Sequence, residues 1–156
     1  MVLRSIGRTL DIDDKDKRRE RLKTFKQECF KEIKILINKM EKKELTEDDI
    51  LASISKITDP PDISFGQAQK PINVILKYHY YLFHDSDENN KIKKELFCPI
   101  DSRVLNKLGG YSGLALSRTK KDKFLEIQNK ISEQGDTKID YDLDWDKEHL
   151  EDEGLL

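Results

Sequence analysis

The chain has 156 residues, of which 38% are charged and 36% hydrophobic, with a mean hydropathy of -0.76 and a formal net charge of -2. This length fits a single domain with a small core, and seven glycines and four prolines are too few for the many turns of an all-β protein. No apolar run reaches the roughly 18 residues of a membrane span, and residues 1–10 lack the apolar segment of a signal peptide. We therefore expect a cytoplasmic protein without a membrane partner, in which Cys29 and Cys98 are reduced and buried.

The charges are distributed unevenly along the chain. Residues 1–43 contain 14 Lys and Arg against 8 Asp and Glu, and residues 103–130 contain 7 against 2. Residues 136–156 reverse this balance, with 2 basic and 9 acidic side chains. The two basic segments could form one face for an anionic partner, or they could be solvated helix faces neutralised by the acidic tail.

The first half of the chain predicts an N-terminal arm followed by two helices. Residues 1–17 read as a loose leader, and apolar side chains at helical spacing predict a helix over about 16–40. Thr46 is a good N-cap for a second helix, because three acidic residues follow it. That helix should end near Thr58, since the residue before Pro60 resists helical angles.

The most apolar helix of the chain follows, and two signals disagree about where it begins. Ser64 and Gln67 have the spacing of a capping box, which predicts a start at Phe65. Pro71 would then lie in the second turn, where proline disrupts a helix. We therefore expect residues 65–69 to form a compact turn and the helix to begin at Lys70, with apolar residues on nearly every side.

The following segments alternate between short helices and loops. Residues 84–90 read as a polar loop and residues 91–97 as a short helical turn. Asp101 is an N-cap for a helix over 102–108, which the two glycines at 109–110 should close.

The C-terminal part of the chain predicts one more helix and a tail. A helix is expected over 117–131, while residues 139–146 alternate between apolar and acidic types, as in an extended segment. The predicted fold is therefore all-α, a compact bundle of five or six helices with an extended acidic C-terminal tail. Its parts are a flexible arm at 1–17, one helical domain at 18–135 and the tail at 136–156.

Two residues stand out as candidates for catalysis. Lys70 lies at the predicted start of an apolar helix, where burial and the helix dipole favour an uncharged, nucleophilic amine. Asp101 could serve as an acid/base partner at the mouth of a pocket. The structural alternatives are a surface lysine that packs through its stem and an aspartate that only caps the next helix.

The segments Gly66–Leu76 and Pro99–Val104 resemble the hairpin and the aspartate segment of the helix-hairpin-helix DNA glycosylase superfamily. That resemblance implies a glycosylase/AP lyase in which Lys70 attacks C1′ of a flipped, damaged nucleotide, with Asp101 as its partner and duplex DNA as substrate. It also implies that backbone amides of the turn bind a DNA phosphate. No iron–sulfur cysteine pattern is present, and no cofactor is expected. The candidate DNA-binding residues are Gly66, Gln67, Ala68, Gln69, Arg103, Arg118, Lys120 and Lys121.

A second class of function fits the same sequence. The chain could be a non-enzymatic helical interaction or regulatory protein whose basic helices, 17–43 and 117–130, bind an acidic partner. The acidic tail could also fold over those basic faces, within the chain or in a dimer. His79, His84 and His149 are too dispersed in the sequence to predict a metal site, and none is expected.

Overall fold

The structure is a computed structural model that describes residues 12–59, 62–85, 91–135 and 137–143. Within these residues the fold is all-α, with six α-helices and no strand, as the sequence predicts. None of the described helices has both the length and the apolar content that a membrane span requires. The helices are α1 (Lys15–Glu41), α2 (Glu47–Ile57), α3 (Phe65–Phe83), α4 (Lys91–Glu95), α5 (Ser102–Leu108) and α6 (Lys121–Ser132).

Each of the first two helices begins at a side-chain cap, of which the sequence predicts the second, Thr46. The carboxylate of Asp14 accepts hydrogen bonds from the amides of Asp16 and Lys17, so α1 includes part of the predicted arm at 1–17. Residues 1–11 of that arm lie outside the described residues. Thr46 and Asp49 form a reciprocal capping box at the start of α2, and α2 ends before Thr58. Local capping chemistry therefore sets these boundaries.

The predicted start of α3 at Lys70 is wrong, because the helix begins at Phe65 and contains Pro71. Ser64 and Gln67 form a complete capping box, which satisfies amides of the first turn. Phe65 is buried and its ring lies 5.2 Å from that of Phe124. An interior proline costs a helix about 3 kcal/mol, and these contacts offset that cost.

The approach to α6 also differs from the prediction. Residues Leu116–Arg118 form a 3₁₀ turn, and the α-helix begins at Lys121 rather than at 117. The reason is a contact with α3: the carbonyl of Thr119 accepts a hydrogen bond of 3.0 Å from the amide of Gly66. Because the Thr119 carbonyl is hydrogen-bonded to α3, the chain at Thr119 is not part of α6.

Helix α3, the most apolar helix of the sequence, is the central element, and it packs against α1, α2, α6 and the 3₁₀ turn Leu116–Arg118. Its buried apolar side chains include Ile72, Leu76 and Tyr80. Both cysteines are buried free thiols, as predicted, and burial raises the pKa of Cys29 to about 12. The largest fully buried side chains of the core are Tyr80, Phe25, Phe97, Phe124, Leu36, Met40, Ile50, Ile54, Ile57, Ile63, Ile72 and Leu76.

The described beginning of the acidic tail is not extended as predicted. Lys138–Asp140 forms a 3₁₀ turn that buries Ile139 completely, so an apolar side chain anchors this segment to the core. Asp140 lies 2.9 Å from Lys93 and also accepts a hydrogen bond from Tyr81. Residues 144–156 of the predicted tail lie outside the described residues.

Candidate functional site

The two predicted catalytic residues lie next to each other. Lys70 is in the second turn of α3, and its Nζ lies 3.4 Å from Oδ2 of Asp101. The other carboxylate oxygen, Oδ1, accepts hydrogen bonds from the amides of Arg103 and Val104 at 3.0 and 3.1 Å. Asp101 is therefore both the cap of α5 and the partner of Lys70, and about a quarter of each side chain is exposed.

Two buried glutamines hold the segment that presents Asp101. The side chain of Gln69 donates to the carbonyl of Ile100 at 2.8 Å and accepts from its amide at 3.2 Å. Gln128 makes the same pair of bonds with the backbone of Cys98, at 2.8 and 3.0 Å. These amide groups take the place of a neighbouring strand, because buried backbone groups need partners. They fix the position of Asp101 relative to α3.

A buried polar row runs along one side of α3, which the sequence predicts to be almost entirely apolar. Gln69, Asn73 and Lys77 are spaced by four residues, and each is at least nine-tenths buried. The side-chain amide of Asn73 donates to Gln69 at 3.1 Å, and Lys77 contacts the carboxylate of Asp142. Burying such polar groups is costly unless they are hydrogen-bonded. In the sequence, the four-residue spacing of Gln69, Asn73 and Lys77 was the signal from which this buried row could have been predicted.

The backbone amides predicted to bind a phosphate are used inside the protein. The amide of Gly66 donates to Thr119, the amide of Gln67 donates to the Ser64 hydroxyl, and the amide of Ala68 donates to the Ser64 carbonyl. Residues 65–69 are a buried first turn of α3, not an exposed hairpin. The geometry of these amides gives no support to a phosphate site in this turn, which stays a prediction from the sequence resemblance.

Gly66 instead has a packing role. A Cβ at this position would lie 2.4 Å from the carbonyl oxygen of Leu116 and 2.7 Å from Cβ of Thr119. Only glycine allows the start of α3 to approach the 3₁₀ turn this closely.

The remaining predicted DNA-binding residues are on the surface. Arg103 is in the first turn of α5, Arg118 ends the 3₁₀ turn, and Lys120 and Lys121 stand at the start of α6. All four side chains are exposed. The structure thus presents these basic groups to solvent, while their role in DNA binding stays a prediction.

An apolar groove between α1 and α3 is a feature that the sequence did not predict. Its volume is about 390 Å³, and Phe30 of α1, which is part of its lining, is 62% exposed. On α3, Ile75, Tyr78 and Leu82 are also exposed and follow Pro71 at helical spacing. Helical periodicity in the sequence identifies such an apolar stripe, but it cannot show whether another element packs over it. The groove is lined by Lys26, Gln27, Cys29, Phe30, Ile33, Pro71 and Ile75.

Two histidines, which the sequence leaves unconnected, meet a glutamate at the far end of α3. Oε1 of Glu41 lies 2.6 Å from Nε2 of His79 and 3.2 Å from Nε2 of His84. Hydrogen bonds from His79 and His84 hold the pKa of the Glu41 carboxyl below its usual range. Glu41 is 38 residues from His79 in the sequence, so only the packing of α1 on α3 reveals this cluster.

Comparison with known proteins found no relative: no family model, no curated protein and no solved structure matches this chain significantly. The resemblance to helix-hairpin-helix glycosylases therefore stays a prediction from the sequence.

Proposed function

We propose that this protein is a helical interaction module that binds an amphipathic helix with acidic flanks in the groove between α1 and α3. The observation that carries the proposal is the continuous apolar surface formed by the groove and the exposed stripe of α3. Exposed apolar patches of this kind on a highly charged protein are typical of interaction sites.

The shape of the surface favours a helical partner. The exposed stripe runs from Ile75 to Leu82, which is about 10 Å along the axis, or about two turns of a helix. The groove beside it lies between two helices and has room for side chains of a third. Helices that dock in such grooves insert anchors at positions i, i+3 or i+4 and i+7.

The charge around the groove favours an acidic partner. Lys26 belongs to the groove lining, and Nζ of Lys34 lies 4.6 Å above the ring of Phe30. Lys23 precedes Lys26 by one turn on the same face of α1. Carboxylates beside the apolar anchors of a partner would meet these ammonium groups at the rim of the interface.

The proposal is tested with a fluorescent model peptide and two matched variants. The peptide is a helix with leucines on one face and glutamates elsewhere, and its binding is measured by fluorescence anisotropy. Ile75→Asp places a charge in the groove and should weaken binding at least about tenfold, which corresponds to about 1.4 kcal/mol. Ile35→Asp is the matched control, because Ile35 and Ile75 are both 42% exposed but Ile35 does not line the groove.

Two further peptides distinguish binding at this site from nonspecific binding. A scrambled peptide of the same composition should bind at least about tenfold more weakly, because its leucines do not share a face. Replacing the glutamates by lysines should also weaken binding, since the rim of the groove is basic. Equal binding of all three peptides, or equal loss in both variants, would rule out the proposed site.

A second candidate function rests on the contact between Lys70 and Asp101. We propose, as this second candidate, that the pair acts on abasic DNA as a lyase, which is the activity that the sequence resemblance implies. The supporting observation is the 3.4 Å distance between the amine and the carboxylate. Such activity requires the uncharged amine to attack C1′ and form a Schiff base.

Borohydride trapping tests this second candidate directly. Wild-type protein should form a covalent adduct with abasic-site DNA, Lys70→Ala should form none, and Lys94→Ala should behave as wild type because Lys94 is an exposed lysine on α4. An adduct that persists in Lys70→Ala, or no adduct at all, would remove the lyase assignment.

A further inference from the structure

Three side chains from the ends of two helices converge at one place on the surface. Glu41 is the last residue of α1, His79 lies in the last two turns of α3, and His84 caps the C-terminus of α3. Their ligand atoms all lie within 4.8 Å of one another. Two imidazoles and one carboxylate form the donor set of many three-ligand zinc sites.

The two imidazole rings are held in place by neighbouring aromatic rings. The ring of His79 lies 4.8 Å from that of Phe83, and the ring of His84 stacks on that of Tyr80 at 6.4 Å. Both imidazole side chains are largely buried, whereas half of the Glu41 side chain is exposed. The rings are therefore preorganised, and the carboxylate leaves an opening towards solvent.

The electrostatics of the location also favour a cation. Both α1 and α3 end here, and the C-terminus of a helix carries partial negative charge on its last carbonyl groups. Together with the Glu41 carboxylate, these helix dipoles create a negative electrostatic potential between the imidazoles of His79 and His84.

We propose that Glu41, His79 and His84 bind a divalent transition cation of the zinc class. In a tetrahedral site with bonds of about 2.0–2.1 Å, the ligand atoms lie about 3.3 Å apart. The distances of 2.6 and 3.2 Å from Glu41 to the two imidazoles are both shorter than that value, so the side chains need only move slightly apart to coordinate an ion between them. Imidazole donors favour zinc, cobalt, nickel or copper over magnesium and calcium.

This assignment has two consequences. Three protein ligands leave at least one coordination position for water or for a group from a partner molecule. The metal would also link the end of α1 to the end of α3, and so it should stabilise the fold in proportion to the logarithm of its concentration.

The test uses cobalt and zinc with the full chain. Co²⁺ should give visible absorption bands typical of nitrogen and oxygen ligation, and Zn²⁺ should displace it, while Mg²⁺ should not. Glu41→Gln, His79→Asn and His84→Asn should each weaken Zn²⁺ binding more than about tenfold by calorimetry. Glu44→Gln is the control, because it removes an exposed carboxylate three residues from Glu41.

The Glu41→Gln variant keeps the test decisive even if the histidine variants fold poorly, because the Glu41 side chain is half exposed. Equal Zn²⁺ affinity in wild type and Glu41→Gln would overturn the proposal, as would Mg²⁺ competing as well as Zn²⁺. Absence of any Co²⁺ absorption with the folded wild-type protein would overturn it too.

Discussion

Replacing Gly66 by alanine tests how closely the start of α3 packs against the 3₁₀ turn. The added Cβ would lie 2.4 Å from a backbone oxygen of Leu116 and 2.7 Å from Cβ of Thr119. Both distances are far inside van der Waals contact, and neither atom is the end of a flexible side chain. The turn must therefore move away from α3, which also strains the hydrogen bond from Gly66 to Thr119.

The expected loss of stability follows from three terms. Overpacking of this kind costs about 1–3 kcal/mol, and a weakened hydrogen bond adds about 0.5–1.5 kcal/mol. Alanine regains at most about 1 kcal/mol over glycine in a helix. We therefore expect Gly66→Ala to reduce the free energy of unfolding by about 1–3 kcal/mol, with a fall in Tm of about 2–4 °C for each kcal/mol.

Urea unfolding followed by circular dichroism measures this change, with Gly135→Ala as the control. A Cβ at Gly135 would meet no atom within 4 Å, so that variant should stay within about 0.5 kcal/mol of wild type. If Gly66 were instead an exposed phosphate-binding glycine, its alanine variant would also retain full stability. Equal stability of the two variants would therefore refute the packing described for α3.

Three further predictions concern the core and the tail. Gln128→Leu should lower the free energy of unfolding, measured in urea, by about 2–4 kcal/mol, because it leaves the buried amide and carbonyl of Cys98 without these hydrogen-bond partners. The control is Gln134→Leu, which should change the free energy of unfolding little because Gln134 is exposed. Burial raises the pKa of Asp140, but its hydrogen bonds to Thr137, Tyr81 and Lys93 outweigh this and lower the pKa below its usual value. The resulting stabilisation is present above about pH 4 and is lost as pH falls through the folded pKa, so Asp140→Asn should flatten the profile of stability against pH below about pH 4. Cys98 is fully buried and burial raises its pKa, so its thiol should react with a disulfide reagent at neutral pH only as fast as the protein opens. Immediate reaction of Cys98 would contradict its position.

The parts of the fold that the sequence predicted well are those that local chemistry determines. Thr46 and Asp101 each cap a helix because a side-chain oxygen and nearby amides lie within a few residues. The position of Gly109 after α5 follows from its positive φ of 71°. Such signals need no knowledge of the rest of the chain.

The parts that were missed depend on contacts between distant residues. The penalty for Pro71 inside α3 was visible in the sequence, but the offsetting contacts of Phe65 with Phe124 and of Gly66 with Thr119 were not. The approach of Lys70 to Asp101 followed from a resemblance, while the glutamines that fix the Asp101 segment were not foreseen.

The same limit applies to the two newly identified surfaces. Helical periodicity placed Ile75 on an apolar face, but whether another element covers that face depends on the whole fold. Glu41 and the two histidines are on different helices, so no sequence spacing could bring them together.

The interaction function is tested most directly by one ratio of dissociation constants. It is the Kd of the acidic amphipathic peptide for Ile75→Asp divided by its Kd for Ile35→Asp, measured by fluorescence anisotropy with both proteins folded. The two isoleucines are equally exposed, and only Ile75 lines the groove, so the ratio should be at least about ten. A ratio near one would show that the groove between α1 and α3 does not bind the peptide.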